Sequence, residues 1–404
     1  MEKKVLSGIR VLDLTTFIAA PQCGRMLASL GADVIKVEAP EKDFYRIEAP
    51  LFEVGIPCTD DENPIFLNAN AGKRMIVLDL KKQSGLEVLL KLAARSDILI
   101  TNMRTAALEK LGIGYERIHA LNPRLVYGHL NGYGQEGPEA AKPGFDSQAY
   151  LARGGFLLDT TEPGCTPNEM VLGSGDSATG LALFCGVLAA FAGAQRTGQG
   201  RFVNSSLLNA AIWAGMMHLT LQQYGLPTGC SRKEPVAFAL INEYRCRDGE
   251  WVSLNASQHL LNDWKELCTA LGAPEAAADS RFCTLAGQRK NRAAAVALLD
   301  RLFAQKTYAE WDKILSGTNV AYEHVVRLLD VVKDPQANAN GYFLRRFYSS
   351  GKVLSVATPP FQMEGMGEDL TKTLHFGEHT QEVLRELGYS GGEIRRLYEC
   401  KAVM

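Results

Sequence analysis

The sequence predicts an α/β protein with an open, mainly parallel sheet flanked by helices, followed by a smaller α+β domain. Two observations carry this. Short β-rich runs and helix-period runs alternate through the first half: Ile9-Arg-Val-Leu-Asp-Leu14, then Cys23 to Leu30 stopped by Gly31, then Asp33-Val-Ile-Lys-Val-Glu38. Two strands joined through a helix read as a βαβ unit with parallel strands, since parallel pairing needs such a crossover and a tight hairpin cannot supply it. The alternation continues with Met75 to Asp79, the helical stretch Ser84 to Ala94, Asp97 to Thr101, and Arg124 to Gly128. That pattern specifies a layered sheet with helices on its faces.

Length fixes the domain count. At 404 residues the chain exceeds what one core serves, since single cores stop growing near about 250–300 residues. Residues 161–175 are rich in Gly, Pro and Thr; an apolar helix follows from near Ser177, stopped by Thr197-Gly-Gln-Gly200, and then a second helix over about 205–224. Gly225-Leu-Pro-Thr-Gly229 reads as a hinge. The expected organisation is a large domain of 1–224 and 335–404, a linker at 225–234, and a small domain at 235–330 with a strand at Trp251 and helices near 260–271 and 291–305. The tail carries strand-like runs and a last helix, Thr380 to Leu387, and is expected to rejoin the first domain.

Composition narrows the partners. Lysines and arginines (43) nearly balance acidic residues (45), so no net field draws in nucleic acid or an anionic membrane. The start lacks a signal-peptide apolar core, and the run Leu181 to Ala194 is too short to cross a bilayer, reading instead as a buried helix. Nine scattered cysteines without metal spacing fit reduced thiols in a cytoplasm, with no metal and no tightly bound cofactor expected.

The first βαβ unit invites a dinucleotide, since Glu38 ends the second strand where a ribose-binding acid would sit. The turn after the first strand is Thr15-Thr-Phe-Ile-Ala-Ala-Pro21, with no glycine fingerprint, and Phe17 and Ile18 stand where a pyrophosphate needs bare backbone. Cations cluster near strand ends: Lys73 and Arg74 before one strand, Lys81 after it, Arg104 and Lys110 past another. They can pair with phosphates, or simply be solvated loop charges. Asp176, in Gly173-Ser-Gly-Asp-Ser177, precedes the apolar helix. An ordinary N-cap explains it. So does a nucleophile: a helix start stabilises the carboxylate, and glycines admit a bulky substrate.

These pieces resemble the class III (family III) CoA-transferases nearly end to end. The resemblance lies in Gly8 to Leu14, Gly31 to Glu38, Gly72-Lys-Arg, Asn122-Pro-Arg, Gly132-Tyr-Gly134, Gly173 to Ser177, Thr197 to Gly200 and Gly377-Glu-His-Thr380, in the family's order. Thr16 to Pro21, Pro143-Gly-Phe-Asp146, Ala152-Arg-Gly-Gly155, Trp311-Asp and Ala339-Asn-Gly-Tyr342 are similar to the 2-hydroxyacid CoA-transferases of amino-acid fermentation, such as the cinnamoyl-CoA:phenyllactate and 2-hydroxyisocaproate enzymes. The resemblance implies a Rossmann-like large domain made of both termini, an intertwined ring-like homodimer, acyl-CoA and a small carboxylic acid as substrates, and Asp176 as nucleophile forming an anhydride. It implies coenzyme A contacts at Phe17, Ile18, Ala19, Leu78, Lys81, Asn102, Met103 and Lys110. Phe145, Asp146 and Tyr150 are candidates for the acyl side. An arginine that packs near the adenine in some members falls on Ala39, and the glycine-rich flap of the oxalate enzyme has no counterpart in 225–260.

Two rivals follow from the same resemblance. A 2-methylacyl-CoA racemase of this fold needs a histidine where Phe145 stands, and phenylalanine carries no proton. A non-catalytic CoA-binding protein needs no intact Asp176. A carnitine or other-acid transferase remains a third assignment of the acid pair.

Overall fold

The computed structural model describes residues 4–47, 55–168, 171–226, 238–256, 260–372 and 374–404. It divides into two compact units: 1–156, 169–216 and 335–404 form the first, and 157–168 with 217–334 the second. The stretch 157–168 thus groups with the second unit, where Gln222 donates to Asp159 at 2.9 Å. The expected linker 225–234 lies mostly outside the described residues.

The first unit is built on six parallel strands: β1 (Arg10–Leu14), β2 (Asp33–Glu38), β3 (Arg74–Val77), β4 (Ile98–Thr101), β5 (Val126–Asn131) and β6 (Phe202–Ser206). Their order across the sheet is β3-β2-β1-β4-β5-β6. The four central strands are buried on both faces, and their charged residues Asp13, Lys36 and Glu38 are buried with the apolar ones. Chain order reverses between β1 and β4, which pair Val11 to Ile98 through Leu14 to Thr101. Loops leaving those two strands therefore diverge and open a crevice at their carboxyl ends.

Four connections shape that crevice. Helix α1 (Ala19–Ser29) follows β1, a single turn α2 (Phe44–Ile47) follows β2, α3 (Pro64–Asn70) precedes β3, and α4 (Gln83–Ala93) follows it. Helices α5 (Thr105–Leu111) and α6 (Tyr115–Leu121) join β4 to β5. A π-helix at Asp146–Ala152 and a short α7 (Phe156–Asp159) lead to α8 (Ser174–Thr197), and α9 (Leu207–Ala214) follows β6.

Helix α8 begins three residues earlier than expected, at Ser174, because Gly173 takes a left-handed conformation (φ +78°) and ends the preceding turn there. It runs 24 residues, long and apolar enough by length and composition to cross a bilayer. The buried helix expected is buried on one side alone. Leu183, Phe184, Val187, Ala190 and Ala194 join the core under β1, β4 and β5, while Ala182, Cys185, Ala189 and Ala192 on the other side are exposed.

Besides 157–168, the second unit holds nearly all of α10 (Met216–Gln223) and an antiparallel sheet of β7 (Ile241–Arg245), β8 (Trp251–Asn255) and β9 (Tyr322–His324). Between β8 and β9 the chain forms α11 (Leu260–Ala270), α12 (Glu275–Ala278), α13 (Leu285–Lys290), α14 (Arg292–Phe303) and α15 (Tyr308–Leu315). Trp264 and Trp311 fill the core of this unit, each donating its indole N–H to a backbone carbonyl, Ala276 at 3.2 Å and Phe303 at 2.8 Å.

The tail returns to the first unit and completes it. It runs through α16 (Pro335–Ala339) and the hairpin of β10 (Phe343–Phe347) and β11 (Val353–Ala357) to α17 (Thr380–Glu386) and α18 (Gly391–Glu399). Thr380, opening α17, accepts from Val77 N–H at 3.1 Å, and past α18 Val403 bridges to Leu78. Edge strand β3 is thereby covered rather than left open to pair with another chain.

Candidate active site

A cavity of about 210 Å³ lies at the carboxyl ends of β1, β2, β3 and β4. Leu14, Val37, Leu78, Met103 and Leu111 give it an apolar floor, and Thr16, Glu41, Lys42 and Lys81 its polar rim. Of the expected coenzyme A contacts, Leu78, Lys81 and Met103 line this space directly. Asn102 sits beside it and holds Thr16 from both sides, accepting from its N–H at 2.9 Å and donating to its carbonyl at 2.8 Å. Lys81 is exposed, and among the described residues its ammonium pairs with exposed Glu41, at 2.7 Å. Such a surface pair costs little to open. Arg104 stands at the N-cap position of α5 without a capping side-chain bond and Lys110 lies in its last turn, both exposed and flanking Met103 and Leu111 in sequence.

Lys73 and Arg74 are elsewhere, and the reason is position along the strand. They precede β3 or open it, and so belong to its amino end, opposite the crevice. Lys73 is 1% exposed, pairs with buried Asp13 at 2.7 Å, and donates to Pro21 O and Asn70 Oδ1, both at 2.8 Å. Burial depresses its ammonium to about 8, and no surface remains to meet a phosphate. Arg74 is spent on Asp33, Glu382 and Glu386. Both are structural cations, contrary to the expectation for them.

Glu38 explains itself in the same way. Buried Arg46 holds its carboxylate bidentately, with distances from 2.8 to 3.1 Å. Lys36, fully buried, ties Thr15 O at 2.7 Å to Asp43 at 3.2 Å. These pairs clamp α2 onto the sheet and present Phe44 and Tyr45 to the β1–α1 loop. There Phe17, itself at φ +65°, stacks on Phe44 at 5.4 Å and meets Phe145 edge-on at 5.4 Å and Tyr45 at 6.0 Å. Left-handed backbone at a phenylalanine costs on the order of 1 kcal/mol or more, and this ring cluster holds it. Sequence reasoning misses Phe44 and Tyr45, because a four-residue turn leaves no periodic signal.

Asp176 lies in the first turn of α8 and is half-buried. Its carboxylate makes no hydrogen bond or ion pair among the described residues. It is not the helix cap. That role falls to Asp146, 6% exposed at the start of the π-helix, whose Oδ2 accepts from Gly173 N–H at 2.8 Å. Gly175 makes this possible, since a Cβ there would sit 2.2 Å from Asp146 Oδ1 and 2.2 Å from the Tyr150 ring.

The electrostatics differ from the sequence expectation. A helix start favours an ionised Asp176, but burial and then the neighbouring Asp146 charge outweigh it and push the group up to about 7. Burial also raises Asp146, against the Gly173 N–H bond and the nearby backbone N–H groups of Gly175 and Asp176, which lie close without forming a well-aligned hydrogen bond and hold it down. Tyr45 and Tyr150 are raised by burial, with Asp176 and Asp146 respectively adding to it. Tyr150 stacks on Phe156 at 5.3 Å. Ile18 reaches within 3.8 Å of where a Gly173 Cβ would be, and Ala19 is buried where Gly180 lets α8 approach α1, a Cβ there falling 2.3 Å from Ala19 O. Phe17, Ile18, Phe145, Asp146 and Tyr150 thus surround the Asp176 end of α8.

Among the described residues no three His, Cys, Asp or Glu side chains gather in a metal-holding group. A shallow depression in the second unit, between α11 and α15, is lined by Asn262, Lys265, Glu266 and Thr269 with part-buried Ala270 and Ile314, and Glu266 there accepts from Asn319. An uncoordinated, basic carboxylate beside an aromatic cluster, with a strand-end cavity at the switch point, can accept an activated acyl group.

The profile of the family described as CoA-transferase family III matches residues 6–380. The chain is 36% identical over 402 residues to the (R)-2-hydroxy-4-methylpentanoate CoA-transferase of Clostridioides difficile, covering 99% of each chain. It is 35% identical to the cinnamoyl-CoA:phenyllactate CoA-transferase of Clostridium sporogenes, over 99% of this chain and 97% of that one. The crystal structure of a CAIB/BAIF family protein from Brucella suis superposes with a TM-score of 0.81 at 29% identity, covering 96% of this chain and all of that one.

Proposed function

This chain belongs to CoA-transferase family III, and from that premise we propose that it passes coenzyme A from an acyl-CoA to an aryl or branched-chain 2-hydroxyacid through Asp176. The observation that carries the reading is the Asp176 carboxylate, basic, unpaired and held at a helix start beside Phe17, Phe44, Tyr45 and Phe145. The two relatives named above support the acid class, and the apolar ring cluster suits such side chains better than a small dianion.

The steps balance without a cofactor. One Asp176 oxygen attacks the thioester carbonyl, the C–S bond breaks, and the thiolate leaves as a mixed anhydride forms. The thiolate attacks the aspartyl carbonyl, releasing the first acid and leaving an aspartyl–CoA thioester. The acceptor carboxylate attacks the carbonyl of that thioester, its C–S bond breaks, and the thiolate leaves as a second anhydride forms. The thiolate then takes the new acyl group and returns Asp176 as carboxylate. Holding the thiolate nearby gives it a high effective concentration, and the aromatic cluster excludes the water that would hydrolyse the anhydride. Leu78, Met103 and Lys81 line the space we assign to the coenzyme, with Asn102, Arg104 and Lys110 at its edge.

We further propose a cytoplasmic homodimer. The exposed small-residue face of α8 and Trp213, 72% exposed on α9, support it. The test of function is Asp176→Ala: transfer to phenyllactate or 2-hydroxyisocaproate should vanish while coenzyme A still binds, and hydroxylamine should trap an aspartyl hydroxamate only in the wild type. Substantial transfer by the variant overturns the assignment.

A further inference from the structure

Two neighbouring carboxylates withdrawn from water are costly, and one of them has a partly empty hydrogen-bond shell. Asp146 is 6% exposed, yet only Oδ2 is bonded, to Gly173 N–H; Oδ1 has no hydrogen-bond partner and lies over Gly175 at the start of α8. Helices usually satisfy their first N–H groups with the side chain of their own N-cap. Here the N-cap is glycine, and the acid comes from another element 27 residues away. Gly173 is left-handed (φ +78°), so no side chain at that position could take the extended backbone from which an N-cap residue bonds the first turn.

We infer that Asp146 is a positioning residue for the transfer: by capping α8 from outside, it leaves the Asp176 carboxylate with no hydrogen bond to break before attack, and it sets a like charge beside it. This rests on Asp176 being the nucleophile. The chemical gain is directional. A carboxylate repelled by its neighbour is a stronger nucleophile, and acylation removes the repulsion because the anhydride and the thioester are neutral at that position. The charge of Asp146 therefore favours capture of the acyl group over the free state. The titratable groups facing the pair are Tyr45 from α2 and Tyr150 from the π-helix, with Asp43 behind Tyr45. Among the described residues no lysine, arginine or histidine pairs with either acid.

Asp146→Asn keeps the shape and an oxygen for Gly173 N–H but removes the charge. The acid limb of kcat/KM should move to lower pH by about one unit, making the nucleophile roughly fivefold more ionised at pH 6, while kcat at high pH falls. A merely structural cap would lower activity without moving that limb. A second readout does not depend on turnover: the thermal stability difference that Asp176→Asn produces at pH 5 and at pH 8, measured once with Asp146 intact and once combined with Asp146→Asn. The pH dependence of that difference should shrink in the Asp146→Asn background. Should Asp146→Asn fail to fold, Asp146→Ser serves the same comparison. An unmoved acid limb together with an unchanged stability difference in a folded variant overturns the inference. If Asp176→Ala retains transfer while the stability coupling persists, the nucleophile assignment fails and the electrostatic coupling stands.

Discussion

Asn102 and Thr16 bind each other twice, the side-chain amide of one bracketing both backbone groups of the other at 2.9 and 2.8 Å. The two residues leave β4 and β1, the strands between which the sheet reverses. Asn102 thus locks the mouth of the crevice in one conformation. Asn102→Ala should free the β1–α1 loop without opening the core, since Asn102 is only half-buried. The expected outcome is a rise of about tenfold in KM for acyl-CoA, with a small loss in kcat and a melting temperature within about a degree or two of wild type. Steady-state kinetics beside a thermal melt separates these effects.

Lys73 and Lys81 should behave as opposites. Lys73→Met strands the buried Asp13 carboxylate without its partner, and breaking one side of a buried pair costs about 3–5 kcal/mol. Lys81→Met removes one exposed pair with Glu41 and should leave stability unchanged. Its effect belongs in affinity: a weaker hold on the coenzyme's phosphates, and a flatter dependence of KM on salt. Urea melts and coenzyme A titrations at two ionic strengths check both. A strongly destabilised Lys81→Met would contradict the placement.

This contrast also shows what sequence can and cannot carry. The sheet is readable because apolar runs such as Ile98 to Ile100 and helical spacing such as that of α4 are local patterns. The motif around Asp176 is readable for the same reason. Which cations face the crevice is not, because Lys73 and Lys81 differ only in which end of β3 they flank, and burial of the first depends on Asp13, 60 positions away. The cap on α8 is equally hidden. Asp146 reaches Gly173 only because a π-helix turns it inward and Gly175 has no side chain.

The ionisation of Asp176 gives a signed pH prediction. An anionic nucleophile with its group at about 7 makes kcat/KM rise as pH increases through about 7 and level off above it. Stability runs the other way. An unfolded aspartate titrates near about 3.9, so between about pH 4 and pH 7 the folded chain holds more protons than the unfolded one. Stability therefore falls as pH rises through that window and is lowest above it. Asp176→Asn removes the effect, so its melting temperature should exceed that of wild type by a few degrees at pH 8 and match it near pH 4. An equal difference at both values would mean that Asp176 is ionised throughout.

Phe145 tests the acyl side. It is 53% exposed and touches Phe17 edge-on at 5.4 Å, so it contributes a face to the cluster without being part of the core. Aromatic pairs of this kind contribute about 0.5–1.5 kcal/mol beyond their buried area. If an aryl or branched acceptor packs on that ring during attack, Phe145→Ala should lower kcat/KM for phenyllactate about three- to tenfold and for 2-hydroxyisocaproate by less, since the latter has no ring to pair. Acetate, too short to reach it, should change little. Because the side chain is half exposed, the variant should lose no more than about 0.5–1.5 kcal/mol of stability, the share of its contact with Phe17, which keeps the loss of selectivity separate from unfolding. A uniform loss across all three acids would place Phe145 in loop support, and the ring cluster would then say nothing about which acid is taken.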